Sequence, residues 1–374
     1  MKKRKVVACL LSAAMMAGVL SGCGGSGSGN SDSGKEKITF WFPTFAASDG
    51  EVTDEEFWDE AMDAFEEENN CEVKVEIIPW DNYEEKYLTG VNSNDGPDVG
   101  YLYMEMFYDY IDMGAIVDID EYFTDEEKEN YIYYDLGNIM NAQYALPVVV
   151  GNPRMLVANM DILNQAGVDS VPSTWDELKA ACQAVKENVP DVAPIMEDWG
   201  NPHFGSLNEI YWPIFWSAGG EIVDADGNLT INSEQGMEAT EFIYSLKEEG
   251  LLPDTCTSCD DTLEPFKNGE AAMVFCASSN ALQATEIGAE VMGDFHTRVS
   301  EQPPITKDDE YVGDERYATL FTDYAENFQS LPVFKGASSM YDTLYKNLQS
   351  MMLGEMTPEE ALQTTTDYYN ENLK

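Results

Sequence analysis

The sequence predicts a mixed α/β protein of two domains. At 374 residues the chain is long enough to bury two cores, and a one-domain reading has to explain the excess. The β-rich run Ile38-Thr39-Phe40-Trp41-Phe42 is followed by a helical pattern and then by the alternating run 71–78, CEVKVEII. Strand, helix, strand in that order argues for a parallel sheet with helical crossovers. An apolar content of 44% is ordinary for a globular chain.

A helix is expected over 54–68, where Phe57, Ala61 and Phe65 recur at i, i+4 and i+8 with carboxylates on the other faces. Residues 81–91 read as a second helix. Gly96-Pro97-Asp98 makes a turn into a strand over 99–103, and Gly114 to Ile119 ends a further helix. The chain is organised around 144–178, YALPVVVGNPRMLVANMDILNQAGVDSVPSTWDEL. Leu146-Pro147 is a bend, because proline fixes φ and removes a ladder donor. Met155 to Ala158 is a short buried strand, Met160 to Ala166 a helix stopped at Gly167, and Thr174 caps a helix reaching Val189. Glu177, three residues on, completes a capping box.

Further on, 212–220 (WPIFWSAGG) ends in a glycine pair that permits positive φ, and Asp224 to Gly227 makes a hairpin-like turn. Residues 232–249 form a helix stopped at Gly250, and 266–275 (FKNGEAAMVF) steps from helix to strand. Helices are expected over 317–327 and 339–353, with a break at Leu331-Pro332. Thr357-Pro358-Glu359-Glu360 opens the last helix with proline at its first position and a second capping box. The chain has no internal repeat.

Charge narrows the function classes. Twenty basic against 70 acidic residues give −50, which repels nucleic acid and anionic headgroups. Most of these carboxylates read as a solvated surface. Residues 1–22 are a targeting segment: Lys2, Lys3, Arg4 and Lys5 precede an apolar stretch too short to span a bilayer comfortably. Leu20-Ser21-Gly22-Cys23 resembles the bacterial lipobox, in which the cysteine is acylated; a plain secretory signal with an incidental Cys23 is the alternative. With 23–37 as lipidated cysteine and flexible tether, the protein is placed on the extracellular face of the cell membrane of a Gram-positive-like bacterium. Beyond Cys9 and Cys23, an odd number of cysteines remains, so they cannot all pair within the chain. The lone pair Cys256-Thr257-Ser258-Cys259 reads as a loop disulfide or two free thiols in preference to a metal site, because only His203 and His296 exist to complete one. No cofactor is expected.

The order "LP, strand, N-x-D-x-L, AG, P-S-T-W-D-E-L" resembles the first interdomain crossing of the extracellular solute-binding proteins of ABC importers, in their maltose-binding-like carbohydrate group. The glycine-pair and D-x-D-G segment and the F-x-x-G-x-A-A-M step at 266–273 follow in the family's order. This resemblance implies a two-lobed periplasmic-binding-protein-like fold with a ligand cleft between lobes. It implies lobe 1 at 38–146 with part of 285–335, and lobe 2 at 147–284 with 336–374. The resemblance covers 38–284 and 317–374; between them the family's glycine-bearing strand and returning helix are replaced by a polar, loop-like stretch. It further implies capture of a sugar or oligosaccharide and delivery to a membrane permease, with the ATPase on another chain.

Sugars offer hydroxyls for hydrogen bonding and flat C–H faces for aromatic rings, so a sugar site wants acids, amides and aromatics at loop tips. Trp41 follows the first strand, and Tyr103 and Glu105 follow the strand at 99–103. By resemblance Glu105 falls where the family has a ligand-contacting acid, Tyr211 and Trp212 lie near its aromatic contacts, and Tyr341 matches its late stacking ring. Asn152 and Arg154 sit just past the crossing. Ser279 stands near a position where the family often has tryptophan, which implies a smaller or more polar ligand. A secreted carboxylate-pair glycoside hydrolase is the enzymatic alternative and a surface adhesin the structural one. No G-x-S-x-G, H-E-x-x-H or Walker loop supports catalysis, and a binder is the reading adopted.

Overall fold

A computed structural model describes residues 35–45, 53–148, 154–201, 204–258, 262–277 and 329–374. The chain divides into two compact units, with the boundary at Gly151 and Asn152. The described residues of the first are 35–148; those of the second are 154–277 and 329–374. The expected helix at 317–327 and the second half of the CxxC pair lie outside the described residues.

The first unit is built on a three-stranded parallel sheet. Strand β1 (Glu36–Pro43) lies between β2 (Cys71–Ile78) and β3 (Val99–Gly100). β1 and β2 are in register from Glu36 opposite Cys71 to Pro43 opposite Ile78. The crossover helix α1 (Asp54–Asn69) starts at a capping box in which Thr53 and Glu56 exchange side-chain and backbone bonds. Its buried face is Trp58, Met62 and Phe65, which pack on Phe40, Phe42 and Cys71. The expected stripe through Phe57 and Ala61 is therefore turned: those two are only partly buried, and Trp58 takes the core position. Trp58 sets its ring edge-on to Phe40 at 4.9 Å and Phe42 at 4.7 Å, and burial of rings this size outweighs any methyl at position 61.

The expected helix at 81–91 begins instead with a 3-10 turn at Trp80–Asn82 and continues as α2 (Tyr83–Ser93). The strand expected over 99–103 pairs only at Val99 and Gly100. Beyond them Tyr101 still donates to the Trp41 carbonyl at 3.0 Å, and then the chain tightens into a 3-10 turn at Met104–Met106. Short helices α3 (Phe107–Asp112) and α4 (Asp125–Asn130) and a hairpin of β4 (Asn138–Ile139) and β5 (Ala142–Gln143) complete the described part.

In the second unit β6 (Arg154–Ala158) pairs antiparallel with β7 (Met273–Ala277) along its whole length. Residues 193–196 run parallel to β7 and the residues leading into it, with bridges at Ala193 with Ala271 and Met196 with Val274. Helix α5 (Met160–Ala166) ends at Gly167 in the left-handed region, as the sequence implies. In α6 (Trp175–Asn188) Thr174 caps Glu177, but the Glu177 carboxylate reaches one residue further back, to the Ser173 amide and hydroxyl. Helices α7 (Leu207–Ile210), α8 (Trp212–Ser217), α9 (Glu234–Glu248) and α10 (Leu263–Lys267) follow.

The C-terminal pair α11 (Ala337–Met352) and α12 (Pro358–Asn372) finishes the unit. Helix α11 buries Met340, Tyr341, Leu344, Tyr345, Leu348 and Met351 at helical spacing, each such side chain contributing roughly 1.5–3 kcal/mol. The capping box of Thr357 and Glu360 opens α12 as expected, with Pro358 in its first turn. No helix among the described residues is long and apolar enough to cross a membrane.

Candidate functional site

Parallel register brings the carboxyl ends of β1, β2 and β3 to one edge of the first unit, because Pro43 stands opposite Ile78 and Trp41 opposite Gly100. In open α/β sheets this is the edge at which ligands bind. The chains leaving it gather aromatic rings. Trp80 has its ring centroid 5.4 Å from Tyr83, 5.7 Å from Phe45, 6.3 Å from Tyr101 and 6.2 Å from Tyr103. Its indole N–H donates to the Thr44 carbonyl at 2.7 Å, which fixes the ring's heading. Beneath it Tyr83 donates to the Tyr101 carbonyl at 2.7 Å, and the Tyr103 hydroxyl donates to the Glu84 carboxylate. Burial, followed by the Glu84 charge, pushes the Tyr103 phenol far above its ordinary range, so it stays a donor.

The second unit offers a polar counterpart. The parallel bridge at Met196 and the end of β7 bring Glu197, Asp198 and Arg154 to one edge of its sheet, since Arg154 pairs with Ala277. Arg154 makes an ion pair with Glu209 of α7, Nε to Oε1 3.6 Å. Ser206 donates to Asp198 Oδ2 at 2.9 Å, and the Trp199 indole donates to Glu197 Oε2 at 2.5 Å. Burial raises the Glu197 carboxyl to about 8, with the Asp198 charge adding to it. Burial, then the Glu209 charge, raises Asp198 to about 7. Glu209 is raised by burial and held back by Arg154. Among the described residues no group of three or more His, Cys, Asp or Glu is arranged to hold a metal ion.

The expected site residues distribute unevenly over these edges. Tyr103 lies at the aromatic edge and Arg154 at the polar one. Trp41 does not cap the first strand: it lies inside β1, 6% exposed, with Tyr87 edge-on at 5.1 Å and the Lys86 ammonium 5.0 Å over the ring. Glu105 is buried in the 3-10 turn, not open at a loop tip. Tyr211, Trp212 and Tyr341 are corrected most. All three are at most 1% exposed, and Trp212 meets Tyr341 edge-on at 5.6 Å in the core of the second unit. The Tyr211 hydroxyl is occupied by Thr240 of α9 at 3.0 Å. These rings brace α8 against α9 and α11 and show no open face at a loop tip. Asn152, Ser279 and Cys23 lie outside the described residues.

Sequence reasoning missed Trp80, Ser206, Asp198, Glu197 and Glu209. Trp80 had a readable signal: Pro79 directly after a strand delays the helix, leaving Trp80 on the connecting turn.

The profile of the bacterial extracellular solute-binding proteins matches residues 49–321, more than half of the chain, and the chain belongs to that family. The match runs through the polar stretch before Tyr317, although that stretch lacks the family's glycine-bearing strand pattern. A binding protein of Brucella abortus is 28% identical over 229 residues, 59% of this chain and 54% of its own. The diacetylchitobiose-binding protein of Streptomyces coelicolor is 29% identical over 249 residues, 62% of this chain and 52% of its own. The chain thus spans about half the length of the curated relatives it matches. A solute-binding protein of an ABC transporter from Thermotoga lettingae, bound with α-D-tagatose, superposes with a TM-score of 0.71 at 17% identity, covering 90% of this chain and 99% of its own. The fold is that of the two-lobed α/β binding proteins.

Proposed function

We propose that this protein captures a sugar or oligosaccharide outside the cell and delivers it to the permease of an ABC importer, without turning it over. The family match over 49–321 carries the reading, and the diacetylchitobiose-binding relative gives it its ligand class. The two sheet edges fit it chemically: one supplies aromatic faces, the other hydrogen-bonding acids beside one arginine. Among the described residues, the cations named at these edges are already faced by carboxylates, Arg154 by Glu209 and Lys86 by Glu76, so the ligand is neutral; anionic solutes want free arginine or lysine forks. Asn152 and Ser279 remain proposed contributors, and acylated Cys23 is the proposed anchor.

Thermal melting in the presence of neutral oligosaccharides tests the proposal. A binder melts higher by the logarithm of ligand concentration over Kd, and the sugar is recovered intact by mass spectrometry. Cleaved sugar would return the hydrolase reading. Stabilisation by sugar phosphates alone would overturn the neutral ligand class.

A further inference from the structure

We infer that Trp80 is a preorganised stacking platform for one pyranose ring of the ligand, with Glu84 and Tyr103 serving hydroxyls at its rim. This inference rests on the sugar-binding reading and assigns it a contact in the first unit. Of the seven tryptophans in the chain, Trp80 alone is exposed, at 38%. It stands on the turn leaving the carboxyl end of β2, at the sheet edge where open α/β folds take ligands.

Three features favour a partner with a flat C–H face and hydroxyls at its rim. The ring is backed by Tyr83 at an interplanar angle of 37° and flanked nearly edge-on by Phe45 and Tyr101, at 85° and 84°. Its N–H is already spent on Thr44, so what remains to offer is an apolar face with a fixed direction. A face held in place loses little rotamer entropy when a ligand arrives. Around it stand exposed Asp81 and Asn82 and half-buried Glu84, acceptors suited to hydroxyl donors, while the nearby Lys86 is engaged by Glu76 and lies over Trp41. An aliphatic or protein partner would want a wider apolar surface than one indole; a pyranose wants one ring and a polar rim.

The test is calorimetry with maltotriose, arabinotriose and N,N′-diacetylchitobiose on the wild type, Trp80→Ala and Trp80→Phe. Trp80→Ala is expected to weaken the best of these sugars roughly ten-fold or more, and Trp80→Phe to retain most of the affinity. Wild-type binding with Trp80→Ala unchanged overturns the platform and leaves the sugar reading standing. Absence of wild-type binding to any neutral sugar overturns both. A second readout needs no variant: N-bromosuccinimide oxidises exposed indoles, and mass spectrometry locates the product. Bound sugar is expected to protect Trp80; oxidation at an unchanged rate in the saturated protein overturns the contact even if Trp80→Ala fails to fold.

Discussion

Replacing Glu197 by glutamine should flatten the dependence of stability on pH. In the folded protein burial raises this carboxyl to about 8, against a reference value of 4.5. The native state therefore holds a proton that the unfolded chain releases. Sign follows: the contribution is fully present below the unfolded value, is lost as pH climbs from about 4.5 to about 8, and is constant above that. At about 1.36 kcal/mol per unit the full loss is on the order of 4–5 kcal/mol, an upper bound because Asp198 titrates alongside it. Glutamine keeps an oxygen to accept the Trp199 indole bond and carries no charge to desolvate. Calorimetric melting at half-unit steps from pH 5 to 9 checks this. The wild type should fall across the window while Glu197→Gln falls markedly less, so that the variant is the more stable at pH 8. The general self-repulsion of an acidic chain acts on both proteins and cancels in the difference. Parallel melting curves, or a variant less stable at every pH, would refute the buried-proton argument.

Trp212→Ala removes a ring that is 1% exposed and braced by Tyr341, and should cost roughly 3–5 kcal/mol in urea unfolding, with the surviving folded fraction binding sugar nearly as before. Gly90→Ala adds a methyl 2.7 Å from the end of the Trp41 ring, tighter than real contacts allow. Despite alanine's better helix propensity the variant should melt lower, by about 1–3 kcal/mol in denaturant titration. Cys23→Ala, expressed in a bacterium that processes lipoproteins, should release the protein into the medium or leave it unprocessed; a mature, membrane-bound variant on fractionation would remove the proposed anchor.

Local elements were legible wherever one residue type decides the backbone. Thr357 with Glu360, Gly167 and the alternation of 71–78 gave boundaries that the structure repeats. Faces were less legible. Phe57 and Trp58 are neighbours on α1, and periodicity alone does not tell which of two adjacent aromatics faces the sheet. The site was least legible, because aromatic type does not encode exposure. Trp212 and Trp80 look alike in sequence; tertiary packing from α11, more than a hundred residues later, buries one, while Pro79 and a tight turn leave the other open. Glu197 and Asp198 vanished among 70 acids, since nothing local marks a carboxylate that the fold will desolvate.

The bonds of α11 set an order in which the units can be completed as the chain emerges. One core cluster of the first unit, Phe40, Phe42, Trp58, Met62, Phe65 and Cys71, is made by neighbours in sequence, β1, α1 and β2, all within residues 36–78. Such local closure is fast. In the second unit Tyr345 donates to the carbonyls of Asp198, at 3.1 Å, and Asn201, at 2.8 Å, and Gln349 donates to Trp199 at 2.8 Å. Until α11 has been delivered, those carbonyls and the Trp199 ring lack these partners, and the surface that Leu344 and Leu348 will cover stays open. A chain exported amino end first would thus carry an unfinished second unit until α11 had emerged, which predicts that pulse proteolysis of refolding protein finds 36–78 protected before 193–277. Chaperone capture and degradation on the outer side of the membrane would then be governed by how quickly α11 and α12 dock.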